Sequence, residues 1–252
     1  MQRLTPILAL TLLAACASAP EREAEEAKKT RMVDTNVQLA NNYLQRGQIE
    51  FAKEKLEKAL SIDPDDSQAN NMMALLQWRV KDYAAAERYF NRAMLGPQNS
   101  EAQNNFGAFL CERDRAEEAE TWFKRAVTNP FYRTPALAYE NAGLCMVKNR
   151  HAARAEEHFR EALKIDPKLP SSLYNMGRIS FDTGRTLAAR GFMQRFFQVA
   201  VDTPEALLLA VQIARTMKNK DEEASYALRL RSRFPTSPEA QQIQKATAGG
   251  KG

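Results

Sequence analysis

Histidine is almost missing from this chain: 252 residues contain two, His151 and His158, seven apart. Cysteine is nearly as scarce, with Cys16, Cys111 and Cys145. A zinc site needs three or four convergent nitrogen, sulfur or carboxylate ligands. Nothing near the two histidines completes such a set, so they read as solvated or half-buried side chains. No G-x-S-x-G, P-loop or H-E-x-x-H pattern occurs. Neither catalysis, a resident metal nor a cofactor is expected. No apolar run reaches the ~20 residues of a spanning helix. The net charge of +5 is spread along the chain without a dense Lys/Arg block, which speaks against nucleic acid as a partner. What remains is ordinary for a soluble folded protein, with 27% charged and 44% hydrophobic residues.

The first distinctive stretch is "ILALTLLAACAS", residues 7–18, behind Arg3. It is too short to span a bilayer and has the positive flank of a secretory signal. Its end, Leu13-Ala14-Ala15-Cys16, resembles the bacterial lipoprotein box: a branched apolar residue, two small residues, then cysteine. That resemblance implies a leader over residues 1–15, cleavage before Cys16 and acylation of Cys16. Ala17, in place of an aspartate, implies the outer rather than the inner membrane. The expected location is therefore the periplasmic face of the outer membrane, with the chain anchored by lipid. Several acyl chains hold stably where one holds weakly. Loss of the leader removes Arg3 and no acidic residue, so the charge of +5 becomes +4. Residues 16–32 form the lipidated cysteine and a charged, solvated tether that can be helical from Glu21. Fully extended it reaches ~50 Å.

The rest of the chain repeats. Small residues recur at Ala40, Ala74, Gly107, Gly143, Gly177 and Ala210, and again at Ala52, Ala86, Ala119, Ala155, Ala189 and Ala224. Apolar residues at helical spacing flank them, and Pro64 and Pro167 close "ALSIDPDD" and "ALKIDPKL". The spacing describes a pair of antiparallel helices per repeat, with small residues where the backbones cross. Proline stops the second helix of most repeats, although Val201 stands in its place in the fifth, and Gly47 and Gly184 mark turns. The pattern resembles the tetratricopeptide repeat, whose period is about 34 residues. Six repeats are expected over residues 33–235, beginning near Val33, Ser67, Ser100, Ala136, Pro170 and Thr203. The fold class is an all-α tetratricopeptide-repeat solenoid. In the sixth repeat about two extra residues are expected around positions 218–221. Residues 236–252 supply a short capping helix, "SPEAQQIQKA", and a frayed tail.

In that repeat class the first helix of each pair lines the binding groove, which assigns the candidate site residues by register. They are Asn41 and Leu44 in the first repeat, then Asn71, Leu75 and Trp78 in the second. Asn104 follows in the third, Leu144 and Val147 in the fourth, and Tyr174, Arg178 and Phe181 in the fifth. The carboxylate clamp known in some repeats of this class is missing, because Val37 stands where its first lysine would be. An apolar or amphipathic segment of a protein partner fits the lining, with Trp78 the foremost anchor. Cys111 and Cys145 fall on neighbouring first helices; they are either a disulfide or two buried thiols. Phe131 and Tyr132, in the longest link, are expected to tuck over helix ends.

Taken with the leader, "NNYLQRGQIEFAKEKLEKALSIDPDD" and "NNFGAFLCERDRAEEAETWFKRAV" resemble the type IV pilus biogenesis lipoproteins of the pilotin class. The resemblance implies a non-enzymatic protein that binds subunits of the outer-membrane secretin and promotes their localisation and multimerisation; a monomer is expected. A different outer-membrane adaptor, in β-barrel assembly or at the cell wall, shares the same coarse features.

Overall fold

The computed structural model describes residues 19–95 and 99–248, which contain thirteen helices and no strand. Cys16 and the leader lie outside the described residues. The chain divides into two bodies near residue 96.

The first body holds α1 (Ala19–Gln45), α2 (Ile49–Ile62), α3 (Ser67–Arg79) and α4 (Tyr83–Ala93). The tether is thus not separate from the repeats: α1 runs unbroken through residues 19–32 into the first repeat. Every side chain from 20 to 32 is exposed, and Val33, Val37, Ala40 and Leu44 then turn inward. Ala40, Leu44, Ala52 and Leu56 pack with Met73 and Leu76 of the next pair. Asp66 and Asp82 cap α3 and α4 by accepting from the amides of Ala69 and Ala85. Each cap satisfies an amide that the helix itself leaves unpaired.

The second body holds α5 (Ser100–Glu112), α6 (Ala116–Val127), α7 (Pro135–Lys148), α8 (Ala152–Ile165), α9 (Pro170–Asp182), α10 (Thr186–Val199), α11 (Pro204–Thr216), α12 (Lys220–Arg233) and α13 (Pro238–Ala248). Proline opens α7, α9 and α11, where its missing N–H costs nothing. Close crossing explains the glycines at three positions. A Cβ on Gly107 would lie 2.8 Å from the Phe123 ring, and one on Gly143 2.6 Å from Phe159. A Cβ on Gly177 would lie 2.8 Å from the Met193 sulfur. Those partner side chains are themselves buried, so no room exists for retreat.

All six turns between paired helices share one geometry. A residue in the left-handed region stands at each: Gly47, Lys81, Asp114, Arg150, Gly184 and Lys218. The amide after it returns to the carbonyl five residues back, as in Gln48→Tyr43, Asp82→Gln77 and Asn219→Ala214. Glycine punctuation therefore reveals two turns of six. The other four place a lysine, aspartate or arginine where Cβ crowding adds about 1 kcal/mol of strain.

The sixth repeat corrects the expectation of an insertion. Lys218 holds the turn position that Gly184 holds in the fifth repeat, and α12 starts two residues after its turn residue just as α10 does. No residues are added. Ala224 is exposed; the place of Ala189 is taken by Glu223, which pairs with Arg215 at 2.8 Å. Val211 stands where Gly177 stands in the fifth repeat. It packs with Leu207 and Leu230 against Ala240 and Ile243 of α13. A terminal repeat needs bulk where an inner repeat needs a close crossing, because α13 covers its far side.

Candidate functional site: the face of the first helices

The register expectation sorts into three groups. Leu144 and Val147 of α7 are 38% and 39% exposed, and Leu137 on the same face is open as well. Spacings of seven and three put them on one stripe. Asn41 and Arg178 are also exposed. Leu75, Trp78, Asn104, Tyr174 and Phe181 are half-buried. Trp78 meets the Phe90 ring edge-on, centroids 6.5 Å apart, so much of its area already serves its own repeat. Tyr174 packs on Phe196 at 6.0 Å, and Phe181 joins the same cluster.

Two of the expected positions are not groove positions. Leu44 is 9% exposed, within the core of the first two pairs. Asn71 is buried as well. Register places a side chain on a helix face, but a neighbouring repeat covers part of that face. Glu140, at another register position, is likewise engaged: its Oε2 accepts from the amide and hydroxyl of Ser172 at 2.9 and 2.7 Å. It thereby caps α9, whose own N-cap Leu169 offers no acceptor.

Neighbouring first helices in the second body are tied at several points. Cys111 and Cys145 form a disulfide between α5 and α7, with Cα atoms 5.7 Å apart. The Asn141 amide donates to Asn104 at 3.0 Å. Lys148 Nζ donates to the Cys111 carbonyl at 3.0 Å and reaches Asp114 at 2.9 Å. The helix bearing the apolar stripe is thus held in place on the side of α5.

Tyr174 and Arg178 share a cavity of 260 Å³ with Asp182, Leu208, Gln212 and, from the terminal helix, Glu239 and Gln242. Sequence register names the first two; the terminal residues enter only through the fold of α13 across α11.

The second helices are laced by arginine–carboxylate pairs. Arg154 of α8 grips Glu117 at 2.7 and 2.9 Å and also reaches Glu120. His158 Nε2 lies 2.8 Å from Glu120 Oε1, and Lys124 lies 3.1 Å from the same oxygen. Burial alone would raise the Glu120 carboxyl; hydrogen bonds from Arg154, His158 and Lys124 outweigh it and hold the pKa at about 2. The Arg185 guanidinium, assisted by Arg160, holds Glu156 at about 2. Further along, Arg190 pairs with Glu222, and Arg229 and Arg233 close on half-buried Asp202. His158 is therefore buried and bonded, which corrects the expectation of a solvated or half-buried side chain; His151 is exposed at the N-cap of α8. Phe131 corrects another expectation: it is 88% exposed, and only Tyr132 tucks in. Among the described residues no group of histidine, cysteine and carboxylate side chains could hold a metal.

Helix pairs recurring at nearly constant spacing, with a small-residue crossing and a left-handed turn in each inner pair, define a tetratricopeptide-repeat protein. Residues 37–100 match the tetratricopeptide-repeat family directly. The chain is similar to the type IV pilus assembly protein PilF of Pseudomonas aeruginosa, 32% identical over 212 residues that cover 84% of each protein. A solved structure of Pseudomonas aeruginosa PilF superposes with a TM-score of 0.79 at 30% identity, covering 87% of this chain and 99% of that one. PilW, a widely conserved type IV pilus biogenesis factor, superposes with a TM-score of 0.72 at 28% identity, covering 84% and 98%. The chain belongs to the PilF family, the tetratricopeptide-repeat proteins of type IV pilus biogenesis.

Proposed function

We propose that this protein is an outer-membrane pilotin: a lipoprotein, acylated at Cys16, that captures secretin subunits and promotes their localisation and multimerisation at the outer membrane. The observation that carries the reading is membership of the PilF family along most of the chain. Two features support it. The lipoprotein box supplies an anchor, and the stripe of Leu137, Leu144 and Val147 supplies open apolar surface for an amphipathic segment of the partner. Joining anchor and capture surface in one molecule raises the concentration of subunits at the membrane without any added contact.

Two measurements test it. With residues 1–15 replaced by an ordinary cleavable secretory signal and Cys16→Ser, the protein is expected in the soluble periplasmic fraction, still capturing secretin but delivering few assembled rings. Rings in full number from that variant would remove the anchor from the mechanism. Leu144→Asp with Val147→Asp is expected to weaken secretin capture at least about tenfold, since two apolar contacts of ~1 kcal/mol each are replaced by carboxylates. Unchanged capture in a pull-down would place the interface elsewhere.

A further inference from the structure

The first repeat has an open side that the second lacks. Leu39 is 39% exposed, whereas Met73, its counterpart in the second repeat, is 1% exposed beneath the first. No repeat precedes the first within the described residues, and a groove of 400 Å³ remains between α1 and α2. Its lining is selective. Lys28 and Arg31 of α1 face Lys55 and Lys58 of α2, with Met32 and Leu39 between them and no carboxylate. The nearest acids stand at the rim: Glu25 lies 4.0 Å from Lys28, and Glu54 lies 2.7 Å from Lys55.

We propose that this groove binds the phosphates of anionic phospholipid headgroups and seats the first repeat on the membrane surface. The claim rests on the reading of the chain as membrane-tethered. Three arguments favour lipid as the occupant. Four cations converge where a phosphate-bearing surface would need them. Met32 and Leu39 offer apolar walls, along which the lysine and arginine stems reach outward with their charges. Lys28 stands nine residues into α1, about 14 Å from its start at Ala19, and Cys16 is three residues earlier. A lipid at Cys16 therefore keeps the groove within reach of headgroups. Glu21, Glu23, Glu25 and Glu26 precede it with the opposite sign, which confines the contact to the groove instead of the whole helix.

The test uses the chain from residue 16 onward carrying Cys16→Ser, so that neither the apolar leader nor an acyl group contributes. It is sedimented with vesicles of phosphatidylcholine alone, or of phosphatidylcholine mixed with phosphatidylglycerol. Binding is expected to the mixed vesicles only and to weaken with salt. Each cation contributes about fivefold near an anionic surface, so Lys28→Gln with Arg31→Gln, and separately Lys55→Gln with Lys58→Gln, should each weaken binding roughly 25-fold. Lys164→Gln with Lys168→Gln, in the second body, should leave it unchanged. Equal binding to both vesicle types, none to either, or equal loss in the control variant would overturn the proposal. Displacement by millimolar inorganic phosphate would make the groove a small-anion site, and loss of secretin capture with vesicle binding intact would give it to a protein; either outcome overturns the lipid assignment. Mass analysis of Cys16 in envelopes decides the anchor separately.

Discussion

Replacing Cys111 and Cys145 together by serine should lower the unfolding free energy by about 4 kcal/mol. The two cysteines are 34 residues apart, and closing a loop of that length in the unfolded chain removes entropy worth roughly that amount. Its size follows from the loop length and not from the other links between α5 and α7, Asn141 to Asn104 and Lys148 to the end of α5, which the variant keeps. Urea unfolding followed by circular dichroism checks it. The native protein should lose stability when dithiothreitol is added, and the double variant should not respond. Identical midpoints for oxidised and reduced native protein would show that the cysteines contribute only as small apolar groups. A second consequence follows from the proposed capture surface. With the stripe on α7 as that surface, the reduced protein should also bind secretin less tightly, through loosened presentation of Leu144 and Val147.

The Glu120→Gln variant should lose about 3 kcal/mol near neutral pH and little near pH 2. The carboxyl is held at about 2 in the folded protein, against 4.5 for a free glutamate. A group whose folded value is depressed stabilises above its unfolded value and loses that contribution as the pH falls through the folded one. The stabilising window therefore opens between about 2 and 4.5, and each unit of depression corresponds to about 1.4 kcal/mol. Native protein should lose stability steeply over that interval, and the variant should show a shallower slope. Equal slopes would mean that Arg154, Lys124 and His158 do no more for Glu120 than solvent does. Glutamine keeps a polar partner beside buried His158, whereas alanine would leave an empty site there at every pH. Glu156, likewise held at about 2 by Arg185 and Arg160, adds to the same acid sensitivity of the second body.

Repetition makes the architecture readable. Paired helices, their order and the small-residue crossings all leave marks in the sequence, because each is local or recurs at a fixed offset. Gly107, Gly143 and Gly177 stand out for that reason, and each lies under a bulky partner. What the sequence hides is non-periodic. Glu120 and His158 are 38 residues apart, an offset that no motif records, and their pairing exists only once α6 and α8 lie side by side. Leu44 and Asn71 read as groove residues because register cannot see the adjacent repeat that covers them. The sixth repeat suggests an insertion only while alanine is aligned with alanine; the backbone keeps its spacing and lets Val211 and Glu223 take those places. Phe131 reads as tucked because an aromatic in a link usually has a helix end to cover, yet at this junction only Tyr132 is half-buried.

Helix α1 is continuous from Ala19 to Gln45, and the side chains of its first turns stand in solvent. A disordered leash would let the body behind it tumble; a straight peptide rod of about 20 Å between Ala19 and Val33 transmits torque instead. Wherever its foot is fixed, the first helix pair inherits both a height and a heading. Inserting Gly-Pro between Lys29 and Thr30 would barely alter the reach and would abolish the lever.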